Sequence, residues 1–249
     1  MLKKLLILTG FLVLVGCQNH LTKNPAPTQA CTTDLDCTKK GAEDGDVAEQ
    51  VILATRYNNG DGVPVDYKKA VYWYQKAADK GIPEAQYDLG NMYSDGRGVP
   101  KSDEQAFNWY LKAAKSPKGM APAQFNVAFM YSHGVFVKQD EVAATKWYME
   151  AASNSRDYRD VAAMASLIIG QSYYHGEGAP KDIQTAYAWF YFAKLIGNKE
   201  ADRSLNIITN KMSKKQIENA QITANQLNEK YHFTLGAPFP VMYAKTHRS

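Results

Sequence analysis

His133 and His175 each stand immediately before a glycine, Asp34 and Asp36 lie between Cys31 and Cys37, and Asp66, Asp140 and Asp182 recur along the chain. Imidazoles, carboxylates and thiols of this kind could ligate a metal, move protons or attack a carbonyl. Each of these chemistries fails on the surrounding residues. The two histidines have no cysteine or third histidine beside them, which is too few ligands for zinc. Two carboxylates fall far short of the roughly six to eight oxygens that calcium takes. Asp66, Ser102, Asp140 and Asp182 occupy equivalent places in repeated segments, where a side-chain oxygen serves as a helix N-cap. An active-site acid has no reason to recur once per segment. No Gly-x-Ser-x-Gly elbow, phosphate-binding loop, His-Glu-x-x-His helix or Cys-x-x-Cys pair occurs. The sequence predicts no catalytic residue, no metal and no cofactor.

The elements behind these residues are clearest between Ala85 and Lys115. Ala85, Leu89, Gly90 and Tyr93 lie at helical spacing, as do Ala106, Trp109, Tyr110 and Ala113, with Gly96-Arg97-Gly98 between the two sets. Neither helix can bury its apolar stripe alone, so the pair is a helical hairpin that needs neighbours. Those neighbours are present. Tyr57, Gly60, Gly62, Ala70 and Trp73 repeat the pattern upstream; Tyr131, Gly134, Ala144 and Trp147, then Tyr173, Gly176, Gly178, Ala186 and Trp189, repeat it downstream. Each of the four tryptophans follows the first turn glycine of its copy by thirteen residues, while the intervals between tryptophans are 36, 38 and 42. All the length variation therefore falls between hairpins. The chain reads as an all-α solenoid of antiparallel helix pairs.

The Leu-Gly-x-x-Tyr helix, the Gly-x-Gly turn and the Trp-x-x-Lys-Ala-Ala helix resemble the Sel-one-like repeats, relatives of the tetratricopeptide repeats. Tyr74 to Ala78 and Tyr110 to Ala114 carry the last motif, and the resemblance runs from about Asp46 to Gly197. It implies an α/α superhelix that assembles protein complexes, and it does not imply catalysis. By the same analogy the first helix of each pair lines the concave face. That register directs Tyr87, Asn91, Phe125, Phe129, Leu167, Gln171 and Tyr174 into a groove suited to a peptide or helix of a partner.

The copies also differ. In the third turn Phe136 replaces the second glycine, so Val135, Phe136 and Val137 offer a second candidate contact for a partner. Pack-or-bind is left open by sequence there. The connector from Ser153 to Asp160 is six residues longer than the shortest and reads as a polar loop.

The ends have another character. Residues 1–16 combine Lys3 and Lys4 with an apolar run, the pattern of a secretory signal. Leu14-Val15-Gly16-Cys17 resembles the bacterial lipobox, which implies lipid on Cys17; Gln18 in place of Asp implies the outer membrane. Loss of Lys3 and Lys4 takes the formal net charge from +4 to +2, and no basic stripe interleaved with aromatics marks a nucleic-acid site. Residues 17–45 are expected as a tether, with Cys31 and Cys37 forming a small disulfide loop in an oxidising compartment. Residues 46–197 hold four repeats, and 198–231 hold capping helices, the second opened by a Ser213–Gln216 capping box. Residues 232–249, with Pro238 and Pro240, are an irregular tail. The expected protein is a monomeric, lipid-anchored envelope scaffold facing the periplasm, with another envelope or secreted protein as partner. An immunity or inhibitor role against a toxin or cell-wall hydrolase is the alternative, and a hydrolase built on the array a remote one.

Overall fold

The turn residues decide where each helix starts and stops in the computed structural model, which describes residues 33–154 and 157–231. Each repeat is a first helix, a glycine turn and a second helix. The pairs are α2 (Val47–Asn59) with α3 (Tyr67–Asp79), α4 (Pro83–Asp95) with α5 (Asp103–Ala114), α6 (Ala121–His133) with α7 (Glu141–Ser153), and α8 (Arg159–His175) with α9 (Ile183–Leu195). Ahead of them lies α1 (Asp34–Glu43), and behind them α10 (Glu200–Thr209) and α11 (Lys214–Tyr231). No strand occurs among the described residues.

The second helices are capped as their sequences require. Asp66, Ser102, Asp140 and Asp182 accept from the backbone N–H groups of Lys69, Gln105, Ala143 and Gln184 at 2.9–3.2 Å. At Asp66 the Lys69 N–H is the main reason the carboxyl sits below its ordinary range. The backbone N–H of each cap donates to the carbonyl of the tyrosine ending the first helix, Tyr57, Tyr93, Tyr131 or Tyr173, at 2.9 Å. These four residues are therefore committed to structure. They hold every turn to one width.

Inside a repeat, a ring on the second helix presses on a small residue of the first. A Cβ at Gly90 would stand 2.6 Å from the Tyr110 ring, and one at Gly170 would stand 2.5 Å from the Phe190 ring. Alanines of both helices fill the rest of the seam. Between repeats, α3 packs on α4, α5 on α6 and α7 on α8, and α6 also touches α8. That approach places the first helices of the third and fourth repeats on the inner side of the curve.

The structure departs from expectation at the N-terminal end. Residues 34–43, expected within the tether, form α1 and pack on α2. Gln50 donates to Ala42 O at 3.1 Å, just as Gln86 donates to Ala78 O (3.2 Å) and Gln124 to Ala114 O (3.3 Å). Lys40-Gly41-Ala42 thus occupies the place of Lys76-Ala77-Ala78. α1 is the last part of a second helix, and it covers the open side of the first repeat. Asp34 pairs with Arg56 of α2, so it is an ion-pair partner rather than half of a cation site. Cys37 is exposed on α1; Cys31 and Cys17 lie outside the described residues, as do the signal segment and the 232–249 tail.

At the other end, α10 and α11 both pack on α9. Ser213 N–H donates to Gln216 Oε1 (2.8 Å) and Gln216 N–H to Ser213 Oγ (3.3 Å), the reciprocal cap its sequence specifies. α11 runs back across the array until the Tyr231 ring lies 5.6 Å from Trp189 and its hydroxyl donates to Met149 Sδ at 3.7 Å.

Candidate protein-binding surface

The inner face is built from two positions of each first helix, nine and five residues before the turn glycine. At the second of these, in the first two repeats, the side chain meets the aromatic residue that follows the repeat tryptophan. In the first repeat Thr55 and Tyr74 share a hydrogen bond at 3.0 Å, and in the second Tyr110 donates to Asn91 Oδ1 at 2.8 Å. Burial pushes the Tyr110 hydroxyl up to about 12. These two pairs close the wall of the groove. In the third repeat this position holds Phe129, which cannot accept, and Tyr148 meets Phe125 instead. In the fourth the partner of Gln171 is Phe190, which has no hydroxyl. The groove therefore changes character along its length.

Of the residues projected into the groove, Phe129 is 44% exposed, its ring stacked on His133 at 4.0 Å. Gln171 is exposed on the next repeat. Tyr87 is half-buried against Tyr110 (5.8 Å) and Phe125 half-buried edge-on to Tyr148 (5.1 Å). Tyr174 is half-buried with the Lys211 ammonium on its hydroxyl. Leu167 is a correction: it is 3% exposed and packs with Ala201, Leu205 and Ile208. α10 takes the position that the first helix of a fifth repeat would hold, and it covers Leu167. Asn91 stays on the wall with its carbonyl taken by Tyr110.

Several contributors were not anticipated. Gln171, Tyr174, His175, Phe190, Ser204 and Ile207 line a cavity of about 140 Å³ between α8, α9 and α10. That volume suits one apolar side chain. Ile207 and Met164 are exposed nearby on α10 and α8. Tyr158, in the long connector, packs against the core between repeats; burial, then the charge of Glu84, raises its hydroxyl above the ordinary range. A tyrosine within a polar connector was the available signal. His133 stacks on Phe129 and His175 lines the cavity beside Gln171, and no group of three or more metal-ligating side chains gathers among the described residues.

Asp88 belongs to the wall of the second repeat, and burial raises its carboxyl despite a hydrogen bond with Tyr74. An acid whose folded pKa is raised costs stability when ionised, so the penalty is absent below its ordinary value of 3.8 and full above the raised one. Asp88→Asn is expected to raise the thermal midpoint at pH 7 and leave it unchanged at pH 3. A scan at the two pH values checks this.

The third turn forms a separate feature. Phe136 has φ of +63°, the one non-glycine residue with positive φ among those described, and is 52% exposed. Its ring lies 5.8 Å from Phe107, and Val135 and Val137 pack half-buried on the same cluster. Val135-Phe136-Val137 therefore packs on the neighbouring repeat and keeps one ring face in solvent.

A family model for the Sel1 repeat matches residues 50–82, 83–117, 121–155 and 163–198. The chain belongs to the Sel1 repeat family. Among solved structures, the Sel1 chain is 31% identical to a protective antigen of uropathogenic Escherichia coli that displays an SLR fold. That match covers 86% of this chain and 44% of that one, with a TM-score of 0.66. The chain thus spans less than half of the antigen's length. A Sel1 repeat protein from Oxalobacter formigenes is 25% identical over 81% of both chains, with a TM-score of 0.64. No curated protein matches the sequence. Sel1 repeats generally serve as protein-interaction scaffolds and are generally non-catalytic.

Proposed function

We propose that this Sel1 chain is a lipid-anchored scaffold of the bacterial cell envelope that faces the periplasm and holds another envelope or secreted protein in its groove. The supporting observation is the change of character at the third and fourth repeats. There Phe129 is left exposed on α6, and Gln171 borders a cavity sized for one side chain. Hydrogen bonds close the first two repeats at the same level. Tyr87, Asn91, Phe125 and Tyr174 form the walls, and Phe136 with Val135 and Val137 supplies a flanking contact. The partner segment is amphipathic, with one apolar residue for the cavity and polar groups for Gln171 and Ser204.

An exposed aromatic at the centre of such a surface contributes about 2 kcal/mol or more when a partner covers it. Phe129→Ser together with Gln171→Ala is expected to abolish recovery of the partner in a pulldown from cells while leaving the circular dichroism unchanged. Equal recovery by variant and wild type would contradict the groove assignment.

The anchor is proposed on Lys3, Lys4, the apolar run and Cys17, and the Cys31–Cys37 disulfide on the oxidising compartment that export implies. Labelled palmitate should enter the chain and be lost in Cys17→Ser. Label retained by that variant would place the lipid elsewhere.

A further inference from the structure

Charge is sorted by helix in the first two repeats. Residues 46–62 and 82–98, the first helices with their turns, carry six carboxylates against Arg56 and Arg97. Residues 66–81 and 101–118, the second helices with their flanks, carry eight lysines against four carboxylates. All eight lysines are exposed, with Lys68, Lys69 and Lys76 of α3 and its C-cap Lys80 joined by Lys112 of α5 and its C-cap Lys115. The sorting stops there, because residues 140–153 of the third repeat carry three carboxylates against Lys146 alone. In the fourth repeat residues 182–199 carry only Lys194 and Lys199 against Asp182, and Lys194 is paired with Asp202, so the lysines are densest in the half of the array nearest α1.

Aromatic side chains stand beside these lysines, a local cluster that the fold assembles from two repeats and not the long basic stripe that a nucleic acid takes. Tyr72 is 53% exposed on α3, its ring edge-on to Trp73 at 4.9 Å, and the Lys76 ammonium lies 5.1 Å from one ring and 5.9 Å from the other. The repeat does not require an aromatic here, since Asn108, Lys146 and Ala188 hold the equivalent places. On α5, Lys112 sits 3.7 Å from the Trp109 ring. Amphipathic rings with lysines around them match the boundary between water and an anionic lipid surface. There the rings enter the headgroup layer and the ammonium groups meet phosphate.

We propose that the outer face of α3 and α5 docks on a membrane surface of anionic phospholipid. Two observations select a lipid as occupant. The charge is complementary over the second helices of two successive repeats, and the patch lies beside the end of the array that leads to Cys17. The sixteen residues between Cys17 and Asp34 span at most about 55–60 Å, and α1 is the element in series before α3. A lipid on Cys17 would therefore hold this face at the bilayer, a geometry that rests on the anchor proposed above. No described helix is long and apolar enough to cross a membrane, so the contact is peripheral. With α3 and α5 against lipid, the first-helix groove faces away from the membrane and stays open to a partner.

The test uses the chain from Gln18 onward, which keeps every described helix and carries no acyl group. It is sedimented with vesicles of phosphatidylcholine alone or with added phosphatidylglycerol. Binding is expected only with phosphatidylglycerol, and is expected to fall as salt rises. Lys68→Glu, Lys76→Glu and Lys80→Glu together should lower the affinity at least about tenfold, and Tyr72→Ser should lower it less. Phe129→Ser should bind vesicles like wild type, so the groove and this face are judged separately. Absence of binding, equal binding to both vesicle types, or binding unaffected by the charge reversals and by Tyr72→Ser would overturn the proposal. If the triple variant is misfolded by circular dichroism, the salt series and Tyr72→Ser decide the matter.

Discussion

Trp189→Ala should lower the stability of the array by about 3–5 kcal/mol, through lost burial and the cavity left behind. Trp189 is fully buried and lies at the junction of α8, α9 and α11, with Phe192 at 5.9 Å and Tyr231 at 5.6 Å. Its removal takes away the surface on which the end of α11 rests. Because a solenoid is coupled mainly through neighbours, the loss of protection should be greatest in α9 to α11 and least in α2 and α3. Denaturant unfolding with hydrogen exchange reads both quantities. The other tryptophans give a graded series. Trp109, 7% exposed under Lys112, should cost somewhat less, while half-buried Trp73 and Trp147 should cost least. A midpoint for Trp189→Ala equal to wild type would contradict the packing of α11.

The second large effect belongs to the turn. Gly98→Ala should cost about 3 kcal/mol, from a left-handed backbone position that disfavours a Cβ and from overpacking against a neighbour. Gly98 has φ of +73°, and a Cβ there would stand 2.4 Å from the carbonyl oxygen of Tyr67, a backbone atom that cannot rotate aside. Gly62 supplies the control. It has the same φ, but the nearest atom to its Cβ would be the end of Arg56 at 3.8 Å. Gly62→Ala should therefore cost only the backbone part, about 1–2 kcal/mol. The difference between the two midpoints measures how closely one repeat's turn seats on the next. Equal losses would mean that the interface yields.

The contrast between Gly98 and Gly62 also shows which features could be read from sequence. Helix caps, turn glycines and the placement of the tryptophans are local, and the residues that form them carry the information themselves. Asp66, Ser102, Asp140 and Asp182 were legible for that reason. α1 was harder, because it is only part of a second helix. Cys37 stands where the tryptophan would be, and the remaining signal is Lys40-Gly41-Ala42 with Gln50. Leu167 could not be placed by register alone, since its burial depends on α10, an element without the repeat motif. The same holds for the cavity at Ile207, which exists only where α10 stands beside α8. Asn91 and Gln171 share one register position, yet Tyr110 closes one and Phe190 leaves the other open. That distinction lies in a residue nineteen positions away on another helix.

A protein partner held in the groove at the third and fourth repeats, as proposed, lies within reach of Gln171. Photo-crosslinking in living cells tests it most directly, with a photoreactive residue placed at Gln171 in one strain and at Ile222 on the outer side of α11 in another. One envelope or secreted protein is expected to be captured from Gln171, absent from Ile222, and lost when Phe129→Ser is added. The same products from both positions, or a Gln171 product indifferent to Phe129→Ser, would contradict it.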